Sequence, residues 1–464
     1  MSDLPRRALS RSVRLAGLPV GMAGRAALGA GRRLAGQPAE QVLMEWQART
    51  AEQLFTVLGE LKGGAMKVGQ ALSVLEPALP ADLVGPYRAT LTRLQEAAPP
   101  MPTSTVHRLL ARDLGADWRA SFRDFDDRPA AAASIGQVHR ATWSDGTPVA
   151  VKVQYPGAGE ALLGDFRRLG RLARMTTWWV PGLDLVPLLA EFEARLADEL
   201  DYGLEAQRQR RFAAAFEDDE AVCVPAVIAQ QGQVLVSQWV DGRPLAQVVA
   251  SGSAADRDHA ADRYLEFLFA GPQLARLLHA DPHPGNFRVL PDGRLGVLDF
   301  GAVGDLPGGM PLAMGQALRY AVEGDAQGVL TVLRDEGFVR PGATVDANLL
   351  LGFLTPFTDP LRADWFTFDR DWLGQQAARL RDPRQEDFGL GLQLNLPPEY
   401  LLIHRVWAGG LGVLCQIGGT VRAAEIAYSW LPSLDPLWEE RVAADAAAGA
   451  GLGDDAEWGD DMRT

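Results

Sequence analysis

Three oxygen-bearing side chains stand at a spacing that suits phosphoryl transfer. Asp281 is followed five residues later by Asn286, within His279-Ala280-Asp281-Pro282-His283-Pro284-Gly285-Asn286, and Asp299 of Leu298-Asp299-Phe300-Gly301 comes 18 residues after Asp281. Moving the terminal phosphoryl group of ATP needs a carboxylate at a magnesium ion, an amide oxygen to complete its coordination, and a second carboxylate to orient the nucleophile. Asp281 is the expected nucleophile-positioning acid. Asn286 and Asp299 are the expected magnesium ligands, hard oxygen donors of the kind that ion takes. His279 and His283 stand four apart, but two prolines, Pro282 between them and Pro284 just after, stop one helix from presenting both to a zinc ion. His279 is instead expected to brace the loop by hydrogen bonding.

A lone Asp-Phe-Gly is a common turn, so the joint spacing carries the reading; it is the protein-kinase arrangement. The elements that must position these residues are legible upstream. Val138–Trp143 and Pro148–Val153 alternate in polarity around Asp145-Gly146, a strong hairpin signal. Lys152 falls on the third strand of this β region, where a kinase-like small lobe keeps its phosphate-binding lysine. The segment 131–137 (Ala131, Ala132, Ala133, Ser134, Ile135, Gly136, Gln137) is expected to be a loop lying over the phosphates. Its alanines leave it less backbone freedom than a glycine loop has. Residues 158–216 read as helical and charged, Val234–Trp239 as a strand, and Pro291-Asp292-Gly293 as the turn between two short strands. Helices dominate from Asp256 onward.

Length, charge and cysteine count bound the rest. A chain of 464 residues exceeds what one hydrophobic core usually serves, about 250–300 residues, so two lobes are expected. With 47% apolar and 22% charged residues, bulk disorder is excluded. A net charge of −14 argues against nucleic acid as a partner, since counterion release needs a basic face. Cys223 and Cys415 cannot make a disulfide framework and suit a reducing compartment. No run of ~18 uninterrupted apolar residues marks a membrane span. Gly17–Gly31, interrupted by Arg25, lacks the cleavage site of a secretory signal. The expected location is cytoplasmic. Residues 1–36 hold seven arginines against one acid, Asp3, so this arm is read either as solvated or as a peripheral contact with an anionic membrane surface at its inner face.

These residues together resemble the UbiB (AarF-like) family of atypical kinase-like proteins. Lys67-Val68-Gly69-Gln70 matches the family's KxGQ signature and Ala131-Ala132-Ala133-Ser134 its alanine-rich loop. Glu199-Leu200-Asp201 resembles the ExD motif, Glu205 the helix glutamate that follows, and His279–Asn286 and Asp299–Gly301 the catalytic and metal loops. The resemblance spans roughly residues 40–430. It implies an α+β, protein-kinase-like two-lobe fold, with a small β-rich lobe, a larger helical lobe, and a helical N-terminal extension over the active site. The expected divisions are a basic arm at 1–36, the extension at 37–103, the small lobe at 104–240, the large lobe at 241–440, and an acidic disordered tail at 441–464.

The resemblance also implies roles. Lys152 would pair with Glu205 and touch the α/β-phosphates of ATP, with Glu191 and Glu193 as alternatives for that acid. Lys67 and Gln70 would project from the extension, Lys67 toward Glu199 and Asp201, restricting where a peptide could lie. After Gly301 the chain has no Ala-Pro-Glu motif and no long Ser/Thr-bearing loop, which speaks against regulated protein phosphorylation. The leading reading is a magnesium-dependent ATP-binding kinase or ATPase acting on a small or lipid-like acceptor in quinone or isoprenoid-lipid metabolism. The alternatives are a small-molecule phosphotransferase of the aminoglycoside or choline kinase sort, and a nucleotide-gated lipid-binding protein without turnover.

The arm gives a first test. Near an anionic bilayer each basic residue adds on the order of 1 kcal/mol of salt-screened attraction. The full chain is therefore expected to co-sediment with anionic vesicles at low salt, and a chain beginning at Pro38 to remain in the supernatant. Equal pelleting of the two would remove the arm from the account.

Overall fold

The computed structural model describes residues 100–133, 135–157, 198, 200–340, 342–381, 386–391 and 393–436. The basic arm, the extension with Lys67 and Gln70, Glu199, and the acidic tail lie outside the described residues. In chain order the first elements are α1 (Thr103–Asp113), β1 (Phe122–Ala133), β2 (Gly136–Trp143), β3 (Pro148–Gln154), α2 (Tyr202–Ala215), β4 (Val222–Cys223), β5 (Val227–Gln231), β6 (Val234–Gln238) and β7 (Arg243–Pro244). Next come α3 (Leu245–Ser251), α4 (Ala254–Leu274), β8 (Leu277–His279), β9 (Phe287–Val289), β10 (Leu295–Val297) and β11 (Val303–Asp305). The remainder is α5 (Leu312–Glu323), α6 (Ala326–Asp335), α7 (Ala347–Phe353), α8 (Thr355–Arg362), β12 (Phe366–Thr367), α9 (Arg370–Arg381), α10 (Glu386–Gly391), α11 (Pro398–Ile417), β13 (Thr420–Val421) and α12 (Ala423–Trp430). The described chain divides into two compact units. One takes in 100–204 with 228–237, the other 205–227 with 238–436. Residues 205–227, which the sequence reading grouped with the small lobe, thus fall in the second unit.

The first unit is built on a five-stranded sheet in the order β1-β2-β3-β6-β5, with β1, β2 and β3 antiparallel neighbours. Its core follows from alternation. Val149, Val151 and Val153 are buried on one face of β3 against Val106 and Leu110 of α1, while Lys152 falls on the other. The Asp145-Gly146 turn closes β2–β3 as expected. Gly146 has φ +104°, Trp143 N–H donates to the Thr147 carbonyl at 2.8 Å, and Asp145 Oδ1 accepts from Thr147 N at 2.7 Å.

The segment 131–137 is not a loop. Ala131, Ala132 and Ala133 complete β1 in register with Val138, Gln137 and Gly136, leaving only positions 134 and 135 between the strands. Short side chains let this stretch pair its backbone groups with a neighbouring strand, which satisfies them better than an open loop would. Gly136 sits at a close approach. A Cβ there would lie 2.4 Å from the Val153 carbonyl oxygen and 3.0 Å from Tyr202 Oη.

The second unit is helical around three short sheets. Its main core gathers Tyr264, Phe267 and Leu268 of α4, Val413, Leu414 and Ile417 of α11, and Leu277, Phe287 and Phe300. α4 starts at a capping box in which Ser253 and Asp256 satisfy each other's backbone N–H groups. A four-stranded sheet runs β4-β10-β9-β7, and β8 pairs with β11. β8, β11, β12 and β13 are two or three residues long, too short for a period-2 pattern to mark them in the sequence. α11 is 20 residues long with mean hydropathy 1.2, enough by length and composition to cross a membrane, but 56% of that stretch is buried inside the protein. Glu399, His404 and Arg405 interrupt its apolar run, which is why no such window stood out in the sequence.

This α+β architecture, a small antiparallel sheet unit and a larger helical unit, is the protein-kinase fold that the motifs implied. Its tightest backbone approach gives a prediction. Gly136→Ala forces β2 off β3 or strains the pair, at a cost of about 1–3 kcal/mol. A urea midpoint equal to that of wild type would show that the ladder absorbs the methyl group.

Candidate active site

β8 and β11 set the frame of the large unit's site. Val303 lies opposite His279, and Ala280 N–H donates to the Ala302 carbonyl at 2.8 Å. The strand entering Asp281 is thereby fastened to the strand leaving Asp299-Phe300-Gly301. Residues 306–311 alone connect β11 to α5.

His279 closes this frame. Its Nε2 donates to the Asp299 carbonyl at 2.6 Å. The imidazole is 4% exposed and walled by Phe212, Phe267, Phe287 and Phe300, with ring centroids at 6.4, 5.7, 5.6 and 5.8 Å. The expectation that His279 braces the loop is thus what the geometry shows. His283, on the same loop, accepts from Gly285 N at Nδ1, 3.1 Å away.

Asp299 and Asn286 are oriented by backbone contacts. Asp299 Oδ1 accepts from Gly301 N at 2.9 Å, an Asx-type turn that fixes the carboxylate. Asn286 Nδ2 donates to the Asp281 carbonyl at 3.2 Å, so Oδ1 is the lone-pair atom this side chain can offer elsewhere. Its own carbonyl accepts from Leu298 N at 2.9 Å, immediately before Asp299. Tyr264 Oη donates to the Pro282 carbonyl at 3.1 Å. Burial, and secondarily the charge of Asp281, push that phenol well above its ordinary range, so it stays a donor. From α2, Arg208 Nη1 reaches the Gly301 carbonyl at 3.4 Å, and Arg211 Nη1 bonds Asp305 Oδ1 at 2.9 Å. Glu205, one helical turn before Arg208, is buried.

One amide oxygen and one carboxylate make a hard-oxygen donor pair. Magnesium is commonly held by one or two such groups, with substrate phosphates and waters completing its shell. Asn286 and Asp299 fit that ion. Among the described residues there is no cluster of three or more His, Cys, Asp or Glu that would suit a self-contained metal cage.

The small unit brings Lys152 and the alanine hairpin together. Lys152, opposite Val138 on β2, holds its Nζ 5.2 Å from the centre of the Tyr202 ring. Tyr202 is also the neighbour that Gly136 accommodates. Gln154, at the end of β3, donates from Nε2 to the Leu200 carbonyl at 3.0 Å, tying β3 to the middle of Glu199-Leu200-Asp201. Asp201 caps α2. Its Oδ1 accepts from Gly203 N at 2.8 Å and Leu204 N at 3.1 Å. Gln137 is turned inward, with Oε1 accepting from Met101 N and Nε2 bonded to His139. Its side chain serves the fold, which narrows its expected cofactor contact to the backbone. Lys67, Gln70, Ser134, Glu199 and the alternative acids Glu191 and Glu193 lie outside the described residues.

Three contributors went unnoticed in the sequence: Tyr202 beneath Lys152, Arg208 on the Gly301 carbonyl, and Tyr264 behind the Asp281–Asn286 loop. Arg208 follows Glu205 at the helical i+3 spacing, a signal that could have been used. Nothing in the spacing marked Tyr264, which lies 18 residues from its acceptor Pro282.

The two roles open to Asp201 can be separated. Asp201→Ala removes the cap and is expected to cost about 1 kcal/mol, while Asp201→Asn keeps the cap and removes only the charge. Melting should therefore fall for the first and hold for the second. Loss of stability in the asparagine variant would assign the effect to charge instead.

Residues 93–333 match the ABC1 atypical kinase-like domain. Among similar proteins, the atypical kinase coq-8, mitochondrial, of Caenorhabditis elegans is 28% identical over 90% of this chain and 57% of its own length. The protein Activity of BC1 complex kinase 3, chloroplastic, of Arabidopsis thaliana is 32% identical over 87% of this chain and 54% of its own. The chain thus spans little more than half of these two relatives. The atypical kinase COQ8, mitochondrial, of Saccharomyces cerevisiae is 28% identical over 81% of this chain and 75% of its own length. A solved structure from Mycobacterium tuberculosis, a complex of Rv3197 with erythromycin, superposes with a TM-score of 0.68 at 40% identity, covering 86% of this chain and all of that one.

Proposed function

Because the chain belongs to the ABC1 atypical kinase-like family, we propose that it is a magnesium-dependent ATP-binding enzyme, a kinase or ATPase whose acceptor is a small or lipid-like molecule of quinone or isoprenoid-lipid metabolism. The observation that carries this reading is the clamped loop pair. Asp281, Asn286 and Asp299 are fixed relative to one another by the His279–Asp299 and Asn286–Asp281 bonds.

In this reading Asn286 Oδ1 and the Asp299 carboxylate would hold magnesium. When bound, that ion neutralises charge on the transferring phosphates. Asp281 would accept a hydrogen bond from the attacking hydroxyl or water and take its proton as the new oxygen–phosphorus bond forms and the bond from the γ-phosphorus to the bridging oxygen breaks, with ADP as the leaving group. Lys152 places its ammonium on the α/β-phosphates, and the Ala131–Gly136 hairpin lies over them with its backbone. Phosphoryl transfer is mostly positioning and charge stabilisation, so rigid loops supply much of what it needs. The short link from β11 to α5 offers no platform for a peptide, which favours a small acceptor. The erythromycin complex of the Mycobacterium tuberculosis relative is in keeping with an affinity for bulky, largely apolar molecules.

Magnesium with ATP is expected to raise the melting temperature. A ligand at 100 times its dissociation constant contributes about 2.7 kcal/mol, several degrees for a protein of this size. Asp299→Asn should abolish the shift. Asp281→Asn should keep it and lose phosphate release. An undiminished shift in Asp299→Asn would withdraw the metal assignment, and undiminished phosphate release in Asp281→Asn would withdraw the proton acceptor.

A further inference from the structure

A buried chain of polar groups runs behind the alanine hairpin. Met101 N–H donates to Gln137 Oε1 at 2.7 Å, Gln137 Nε2 lies 2.7 Å from His139 Nε2, and His139 Nδ1 lies 2.8 Å from the Asp126 carbonyl. Gln137 is 1% and His139 0% exposed. Phe125 stacks on the imidazole at 5.1 Å and 23°.

The polarity of each bond follows from its ends. A carbonyl can only accept, so His139 Nδ1 carries a hydrogen. A backbone amide can only donate, so Met101 must meet Oε1 of Gln137. That turns the Gln137 NH2 group toward His139, whose Nε2 must then be a bare lone pair. The imidazole is neutral and held in one tautomer. The Asp126 carbonyl lies where β1 leaves register with β2, between the pairs Phe125–Ala141 and Pro129–His139, so the side chain of His139 supplies a partner that the ladder does not.

A proton on Nε2 reverses the middle bond. The new N–H needs an acceptor, which Gln137 can provide only by turning its amide over. Its NH2 group then faces the Met101 N–H, donor against donor. Protonation of His139 and the bond to Met101 are therefore mutually exclusive. Gln137 is the register partner of Ala132, and Met101 stands two residues before α1. A change at Gln137 thus reaches both the hairpin and the chain entering α1.

We propose that Gln137 and His139 are positioning residues that lock the alanine hairpin to the chain at Met101 and release it when His139 is protonated. The effect on nucleotide rests on the ATP-binding reading above; the lock does not. Burial most strongly opposes the imidazolium and holds His139 below its ordinary range. Asp126 and Asp127 of β1 favour the charge, and His107 of α1 opposes it, with Arg119 3.3 Å behind His107. β3 presents the uncharged Val151 opposite His139. Since the folded state disfavours the proton, this group's contribution is full above the unfolded value of about 6.5 and is lost as pH falls through and below it.

The test is amide hydrogen exchange on the full chain, expressed as protection relative to the intrinsic rate at each pH. In wild type, protection of Met101 should fall at least about tenfold between about pH 8 and about pH 5. In Gln137→Glu a carboxylate accepts from both Met101 N–H and a protonated Nε2–H, so protection should hold across that range. In His139→Asn it should not vary with pH. Flat protection in wild type, or an equal fall in Gln137→Glu, overturns the lock. The magnesium–ATP melting shift should shrink at the lower pH in wild type but not in Gln137→Glu, and equal shrinkage in both overturns the coupling to nucleotide. Absence of any shift at either pH counts against the ATP reading alone, because the exchange result decides the lock without nucleotide.

Discussion

The bond from His279 Nε2 to the Asp299 carbonyl, 2.6 Å long inside a wall of four phenylalanines, is the contact on which the large unit's site depends. In that apolar setting a missing partner would cost the desolvation of a carbonyl, about 1–3 kcal/mol. The aromatic wall makes the bond hard to break as well as worth making, since water cannot substitute. Its members come from α2, α4, β9 and the metal loop itself, so forming the core and fixing the loop are one event. Asp281 follows two residues after His279, just beyond the end of β8, and Asn286 is tied back to the Asp281 carbonyl, so three candidate side chains depend for their positions on one imidazole.

The two units hold their candidate residues by different means. The large unit uses one polar bond within a mass of packed rings. The small unit uses a relay of amide, imidazole and carbonyl groups on β1 and β2, and a second set in which Gln154 bonds the Leu200 carbonyl and Gln233 Nε2 donates to Gln154 Oε1 at 2.7 Å. A small sheet has little apolar volume to spend on rigidity. Buried polar groups that are mutually satisfied supply it instead, and they specify one arrangement because each bond sets the polarity of the next. Tyr202 joins these sets to chemistry, lying under Lys152 and against the close approach at Gly136.

What could be read from the sequence was whatever is encoded locally or by fixed spacing. Asp281, Asn286 and Asp299 announce themselves by separation, Lys152 by its place in an alternating strand, and the β2–β3 hairpin by Asp-Gly. Segment 131–137 was misread because an alanine run carries no period-2 signal, and its pairing is decided by the partner strand. Gln137 is counted with the phosphate-covering segment because a sequence does not say which polar residue the core will satisfy; its partner Met101 is 36 residues away. Asp201 illustrates a further limit: a carboxylate before a helix can be a motif and a cap at once, and only the bonds to Gly203 and Leu204 reveal the second use. Motifs at Lys67, Gln70 and Glu199 remain assigned by resemblance.

The return of the chain after Gly301 constrains how such a site can be controlled. Val303–Asp305 pairs at once with Leu277–His279, and Leu306 N–H donates to the Arg276 carbonyl at 3.0 Å. The Asp299–Gly301 loop is therefore stitched to β8 directly after Gly301 and held at Asp299 itself by His279, with no segment between loop and strand pairing whose ordering could set its conformation. α2 adds a third fastening, since Arg208 reaches Gly301, Arg211 reaches Asp305, and Phe212 packs 5.2 Å from Phe300. A loop held at three points by backbone pairing, guanidinium bonds and ring packing has no cheap alternative state, and a switch needs two states separated by only a few kcal/mol. In the proposed reading, control would thus fall to elements other than the Asp299–Gly301 loop. Among the described residues, the alanine hairpin, held through one amide that a single proton can turn, is the part with a second arrangement within reach.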